Sequence, residues 1–276
     1  MTEKSETALP TYRVAAIQMV SAPSVERNLA EAGRLIAEAA RDGAQLVLLP
    51  EYFCFMGHAD TDKVALRETA GAGPIQSFLS DAARRHHLWL IGGTLPVAAP
   101  EAGRVLNATF VFDPQGHEVV RYDKIHLFNF VKGDEAFDEA RTISPGTEVR
   151  GFDAPFGRVG LSVCYDLRFP ELYRALGDCA LVVVPSAFTY TTGHAHWETL
   201  LRARAVENQC YVLAAAQGGK HENGRRTWGH SMLIDPWGEI VAVREEGAGV
   251  VIGELNPARI AQVRQSLPAL RHRVLA

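Results

Sequence analysis

Apolar runs rich in β-branched residues alternate along the chain with longer segments whose apolar positions recur every three or four residues. Arg13–Met19 is the first such run. Behind it, Leu29, Ala32, Ile36, Ala39 and Ala40 fall on one helical face, with Ser24 suited to the N-cap and Gly43 to the stop. A strand at Gln45–Leu49, a helix near Ile75–His86 and a strand at Leu88–Gly92 follow. Strands near Leu106–Phe112 and Glu118–Tyr122 then flank the turn Asp113-Pro-Gln-Gly116. The order repeats in the second half. A strand at Arg158–Val163, a helix near Pro170–Leu176 and a strand at Ala180–Val184 are followed by a helix near Ala195–Asn208. Trp197, Leu200, Leu201 and Ala205 share a face of that helix; a strand at Tyr211–Ala216 and a strand pair around Asp235-Pro-Trp-Gly238 close the pattern.

Alternating strands and helices predict an α/β fold, and the strand pairs predict mixed sheets. Two similar halves suggest two sheets packed face to face with helices outside. No Ser/Gly-rich linker separates them, so residues 11–276 read as one domain behind a polar, flexible tail, Met1–Pro10.

With 276 residues, 47% hydrophobic and 22% charged, the chain has the composition of a globular protein, which excludes disordered, collagen-like and disulfide-scaffold classes. The 28 basic and 32 acidic residues leave a formal charge of −4, with no electrostatic footprint for nucleic acid. No apolar run has the ~20 residues of a membrane-spanning helix. The tail lacks the features of a secretory or transit peptide. Cys54, Cys164, Cys179 and Cys210 form no C-x-x-C pair, and the expectation is a reduced, cytoplasmic protein.

In layered α/β folds, reactive groups gather beyond the C-terminal ends of strands. Three residues stand at such places. Glu51 follows Leu46-Val-Leu-Leu-Pro50, where desolvation makes a carboxylate a better base; the alternative is a helix cap or a solvated side chain. Lys124 is wedged between Val119-Val-Arg-Tyr-Asp123 and Ile125-His-Leu-Phe128, either as a fixed cation facing developing negative charge or as a snorkelling surface lysine. Cys164 stands between a strand and a helix start, a place that lowers a thiol pKa; the alternative is a buried thiol like Cys179 and Cys210.

Leu-Pro-Glu51, Tyr122-Asp-Lys-Ile-His126 and Gly160-Leu-Ser-Val-Cys164-Tyr-Asp-Leu-Arg-Phe-Pro-Glu171 together resemble the three catalytic blocks of the nitrilase superfamily of carbon–nitrogen hydrolases. The stretches His196–Tyr211, Ala214–Gln217 and Gly229–Gly238 resemble its Nit branch. The resemblance implies a four-layer α-β-β-α sandwich that forms a homodimer or higher homo-oligomer, and a Glu51–Lys124–Cys164 triad needing no cofactor or metal. It also implies a second glutamate after the lysine; Glu139 matches best, with Glu135 the alternative because Asn129–Asp138 departs from the family pattern. The departure at Thr192-Gly-His194 falls in a loop that borders the family's active site, and Thr192 is a candidate substrate contact. The chemistry implied is hydrolysis of a small-molecule carboxamide through a cysteine thioester, releasing ammonia. Lys124 and the backbone N–H of Tyr165 would hold the oxyanion, and the charge of Lys124 would lower the thiol pKa. The branch resemblance points to deaminated glutathione as substrate, with α-ketoglutaramate the runner-up. Arg168 suits bidentate capture of a substrate carboxylate, or else pairs with Asp166 or Glu171.

Other classes fit less well. A serine hydrolase would place glycine where Cys164 stands and would not bury Ser162 inside a strand. The pairs His86-His87 and His194-Ala-His196 lack metal-ligand spacing. Gly218-Gly-Lys220 and Gly71-Ala-Gly73 form no phosphate-binding loop. A non-catalytic dimeric scaffold is the remaining alternative.

Overall fold

The computed structural model describes residues 10–133 and 135–275, so residues 1–9 of the expected tail lie outside the described residues. Two large sheets form the centre. The first has the strand order Gly249–Leu255, Tyr12–Gln18, Leu46–Leu48, Trp89–Ile91, Val105–Phe112 and Leu95–Ala98, with Glu118–Asp123 also paired to Val105–Phe112. The second runs Ile240–Arg244, Ser231–Ile234, Tyr211–Ala216, Leu181–Ser186, Gly157–Leu161 and Gly151–Ala154. In each, three neighbouring parallel strands form the middle and antiparallel strands flank them. The halves therefore repeat one plan.

Strand alternation sends side chains to two different cores. Val14, Ala16, Leu46 and Leu48 join the core that includes the second sheet, whereas Ala15, Ile17, Val47 and Leu49 lie beneath the helices Val25–Arg41 and Pro74–His86. From those helices Leu35, Ile36, Leu79 and Ala83 complete the outer core. Trp197, Leu201 and Ala205 of the helix Tyr190–Asn208, with Leu172 and Tyr173 of Pro170–Ala175, cover the second sheet. The layers are α-β-β-α, each buried Leu or Ile contributing roughly 1.5–3 kcal/mol over exposure. Among the described residues no helix is long and apolar enough to cross a membrane.

Some boundaries differ from the sequence pattern. The helix expected from Ala195 begins at Tyr190, because the Thr189 hydroxyl accepts from the Thr192 N–H as an N-cap. Thr192–His196 are thus helical rather than loop. Gly193 is required there, since a Cβ would stand 2.2 Å from Trp228 Cβ. The first helix, Val25–Arg41, stops where expected: Asp42 caps it and Gly43 follows at a φ of +83°. Leu95–Ala98 is a strand the sequence pattern does not predict; it ends the sheet beside Val105–Phe112, with only Glu68 bridged to its other side, a place that tolerates Pro96. The hairpin of Asn129–Lys132 with Glu135–Asp138, in the stretch without family pattern, and the C-terminal helix Pro257–Ser266 were also unread.

Candidate active site

The strand Leu46–Leu48 runs into Leu49 and Pro50, and Glu51 follows with 1% of its surface exposed. Its path is fixed by Gly93, whose φ of +53° brings its backbone so close that a Cβ would stand 2.1 Å from the Pro50 carbonyl oxygen. Glu51 Oε1 accepts from Asn107 Nδ2 at 2.8 Å and Lys124 Nζ at 3.0 Å; Oε2 accepts from the Ala187 N–H at 2.9 Å. Ala187 directly follows the strand Leu181–Ser186 of the second sheet, so both sheets hold this carboxylate.

Lys124 continues the strand Glu118–Asp123, its N–H donating to Asn107 O at 3.0 Å and its carbonyl accepting from Gly146 N–H at 2.8 Å. Its ammonium is fully buried and donates at 2.8 Å to Glu139 Oε2 as well as to Glu51. Glu139 Oε2 also accepts from Phe128 N–H at 2.7 Å, and Oε1 from the Tyr52 hydroxyl at 3.0 Å. Glu135, by contrast, is exposed and accepts from the Thr191 hydroxyl at 3.0 Å. Glu139 is the glutamate beside the lysine.

Cys164 opens a short 3-10 helix, Cys164–Arg168, with Ser162 and Val163 between it and the strand Gly157–Leu161. Its φ of +49° is left-handed, a conformation costing a non-glycine residue of order 1–3 kcal/mol and characteristic of functional sites. Asp166 supports this turn. Its buried carboxylate accepts from Val163 N–H at 2.8 Å, Tyr122 OH at 2.7 Å and His126 N–H at 3.0 Å, and lies 2.7 Å from His126 Nδ1. The Cys164 turn and the lysine segment are tied through one side chain. Tyr165 N–H lies in the first turn after Cys164, where amides have no intrahelical acceptor.

Glu51, Glu139 and Cys164 line a cavity of about 470 Å³, whose wall includes Tyr52, Lys63 and Arg225. Burial, then the charge of Glu51, pushes the Cys164 thiol well above the usual thiol range, with Glu139 adding and Lys124 opposing. Burial alone would strip the Lys124 proton, but Glu139 and Glu51 hold it charged, far above the ordinary lysine range. Burial would raise Glu139, yet Lys124 outweighs it and keeps this carboxyl below its ordinary 4.5. Lys124 lowers the thiol pKa as expected, but burial and the Glu51 charge outweigh it. The balance favours the protonated thiol.

Arg168 and Thr192 do not line the cavity. Four residues along a 3-10 helix is a turn and a third from Cys164, which carries the Arg168 side chain to another face. Its guanidinium lies over the rings of Tyr165 and Phe188, at 5.8 and 5.5 Å, with Nη1 3.2 Å from His196 Nδ1. Asp166 is engaged elsewhere, and among the described residues no ion pair joins Arg168 to it or to Glu171. The Thr192 hydroxyl is 2.8 Å from that of Thr189, inside the helix cap. Exposed His194 stacks on Tyr190 and meets Trp228 edge-on. The Ser162 hydroxyl is buried against Tyr173 OH and Val183 O, both at 2.9 Å. Among the described residues no three His, Cys, Asp or Glu side chains are grouped to hold a metal ion.

Residues 13–265 match the family described as carbon-nitrogen hydrolase. The chain belongs to that family. A Synechocystis carbon–nitrogen hydrolase relative named deaminated glutathione amidase is 46% identical over 270 residues, spanning 95% of this chain and 98% of that protein. Omega-amidase NIT2 of Mus musculus is 38% identical over 268 residues, spanning 96% of each. The crystal structure of the C. elegans NitFhit protein superposes with a TM-score of 0.89 at 38% identity, over 97% of this chain and 66% of that longer one. The family match and the α-β-β-α layering agree, and the amidase names are those of its relatives.

Proposed function

We propose that Cys164 attacks the carbonyl carbon of an α-keto acid amide, with Glu51 as base, and that deaminated glutathione is the substrate. The observation that carries this reading is the unbroken hydrogen-bonded chain Glu51–Lys124–Glu139–Tyr52, closing on one cavity with Cys164. As the S–C bond forms, the thiol proton passes to Glu51 and the carbonyl electron pair moves to oxygen, facing Lys124 and Tyr165 N–H. Collapse breaks the C–N bond while Glu51 returns the proton to nitrogen. Glu51 next takes a proton from water, which opens the thioester to the acid and the free thiol. The leaving group follows the substrate: ammonia from a primary amide, the amine of cysteinylglycine from deaminated glutathione. Glu139 and Tyr52 hold Lys124 in place.

Arg168 stays a candidate for the α-keto carboxylate only by turning toward the cavity, outside whose wall it stands here; what supports it is that no carboxylate of the described residues pairs with it. Thr192 is retained only as the cap that orients the Thr189–Thr191 wall. The 38% identity to omega-amidase supports α-ketoglutaramate as the second reading. Comparing kcat/KM for the two substrates decides between them. Cys164→Ala abolishes turnover with the fold intact, and an electrophile labels the wild-type thiol; hydrolysis retained by the variant overturns the mechanism. Silence in both assays favours the scaffold alternative.

We also infer a reduced, cytoplasmic setting, supported by four free, buried cysteines. A homodimer or higher homo-oligomer is supported by Trp237 and Val206, half-exposed near Gly238. A monomer mass in sedimentation velocity refutes it.

A further inference from the structure

The cavity that Glu51, Glu139 and Cys164 line also carries a basic wall of Lys63 and Arg225, to which the reaction as written assigns nothing. Lys63, on the short helix Asp62–Ala65, stands there with Nζ 5.6 Å from the centre of the Tyr52 ring. The carboxylates whose charge reaches it, Glu139 and Asp60, are each held by another cation, Lys124 at 2.8 Å and Arg225 at 2.7 Å. The remaining acids of the wall are engaged too: Glu135 accepts from Thr191, and Asp138 accepts from Ala140 N–H in the following turn. Lys63 is left as a half-buried cation facing the cavity with no committed anion among the described residues.

We propose that Lys63, with the Arg225–Asp60 pair beside it, receives a carboxylate on the leaving-amine side of the scissile bond. The site then selects N-substituted amides whose amine half ends in a free carboxylate, as a dipeptide does. This rests on the amidase reading above. From the scissile nitrogen, a dipeptide places its carboxylate at most about 7 Å away. Tyr52 spans the corresponding wall, its hydroxyl on Glu139 and its ring beneath Lys63. Burial pulls the Lys63 pKa below the ordinary lysine range, so an entering carboxylate offsets a standing desolvation cost.

The test pairs two substrates with three enzymes: deaminated glutathione and its C-terminal glycinamide, against wild type, Lys63→Met and Lys63→Arg. Wild type is expected to prefer the acid by ~10- to 100-fold in kcat/KM, the loss that removal of one charged hydrogen bond brings. In Lys63→Met that ratio falls toward one; Lys63→Arg keeps most of it. Equal kcat/KM for acid and amide in wild type, or an undiminished ratio in Lys63→Met, overturns the proposal. The wild-type comparison decides even where a variant fails to fold. Hydrolysis of neither substrate by wild type is a different result, and counts against the amidase reading itself.

Discussion

Glu51→Gln separates two roles that a carboxylate beside a thiol can play. An ordinary carboxyl and an ordinary thiol differ by ~4 pKa units, about 5.7 kcal/mol against proton transfer. Here the resting thiol is pushed further up, so the proton must leave as the S–C bond forms and charge moves to the carbonyl oxygen. Glutamine removes the acceptor, and kcat falls by ~10²–10⁴. It also removes the charge that raises the thiol, so the Cys164 pKa moves down while activity is lost. The side-chain amide must set its NH₂ against a donor. The milder clash is with Ala187 N–H, since Asn107 and charged Lys124 share the other oxygen. Leaving one buried donor unpaired costs roughly 1–3 kcal/mol of stability. The assays are steady-state hydrolysis, a thiolate absorbance titration and a melting curve. A variant with unchanged kcat and raised KM makes Glu51 a binding residue. A thiol pKa that rises refutes the electrostatic account.

Arg168→Lys loses the planar fork, and kcat/KM for an α-keto acid amide drops ~10-fold through KM with the melting temperature unchanged; an unaltered KM removes Arg168 from the site. Gly93→Ala forces a side chain onto the Pro50 carbonyl at a positive φ, costing roughly 2–6 kcal/mol, with activity lost because Glu51 is displaced. An unshifted melting temperature contradicts this. His221, buried between Ser21 O at 2.9 Å and Thr227 Oγ1 at 2.8 Å, is held by burial below its ordinary 6.5. Its folded pKa is the lower one, so the unfolded chain binds the extra proton. Stability is full above pH 6.5 and declines as pH falls through the window beneath it. His221→Gln flattens that stretch of the stability–pH curve; a curve of unchanged slope there excludes His221 as its source.

Glu51, Lys124 and Cys164 were legible because each directly follows a β-run, and strand ends are where such folds concentrate chemistry. Their partners were not. Ala187 contributes a backbone N–H, which leaves no trace in residue type, and Asn107 looks like any polar residue in an alternating strand. Tyr52 carried a weak signal as Glu51's neighbour, but its reach to Glu139 needs a backbone φ of +55°. Asp166 reads from sequence as no more than an Arg168 partner, although its buried carboxylate ties its own turn to the Tyr122–His126 segment. The net direction of the thiol pKa was not legible either, because burial and the Glu51 charge outweigh the Lys124 charge, and the depth of burial shows only once the segments are placed. The helix start at Tyr190 hid behind Thr-Thr-Gly, poor helix formers rescued by a threonine cap and the packing of Trp228.

The Glu51 carboxylate draws its hydrogen bonds from both sheets, Ala187 in one half and Asn107 and Lys124 in the other. A chain in which only one half has condensed has no complete proton acceptor and no framed thiol. Under the proposed mechanism turnover is a clock for refolding: product accumulates only once the two halves have docked, however early circular dichroism recovers.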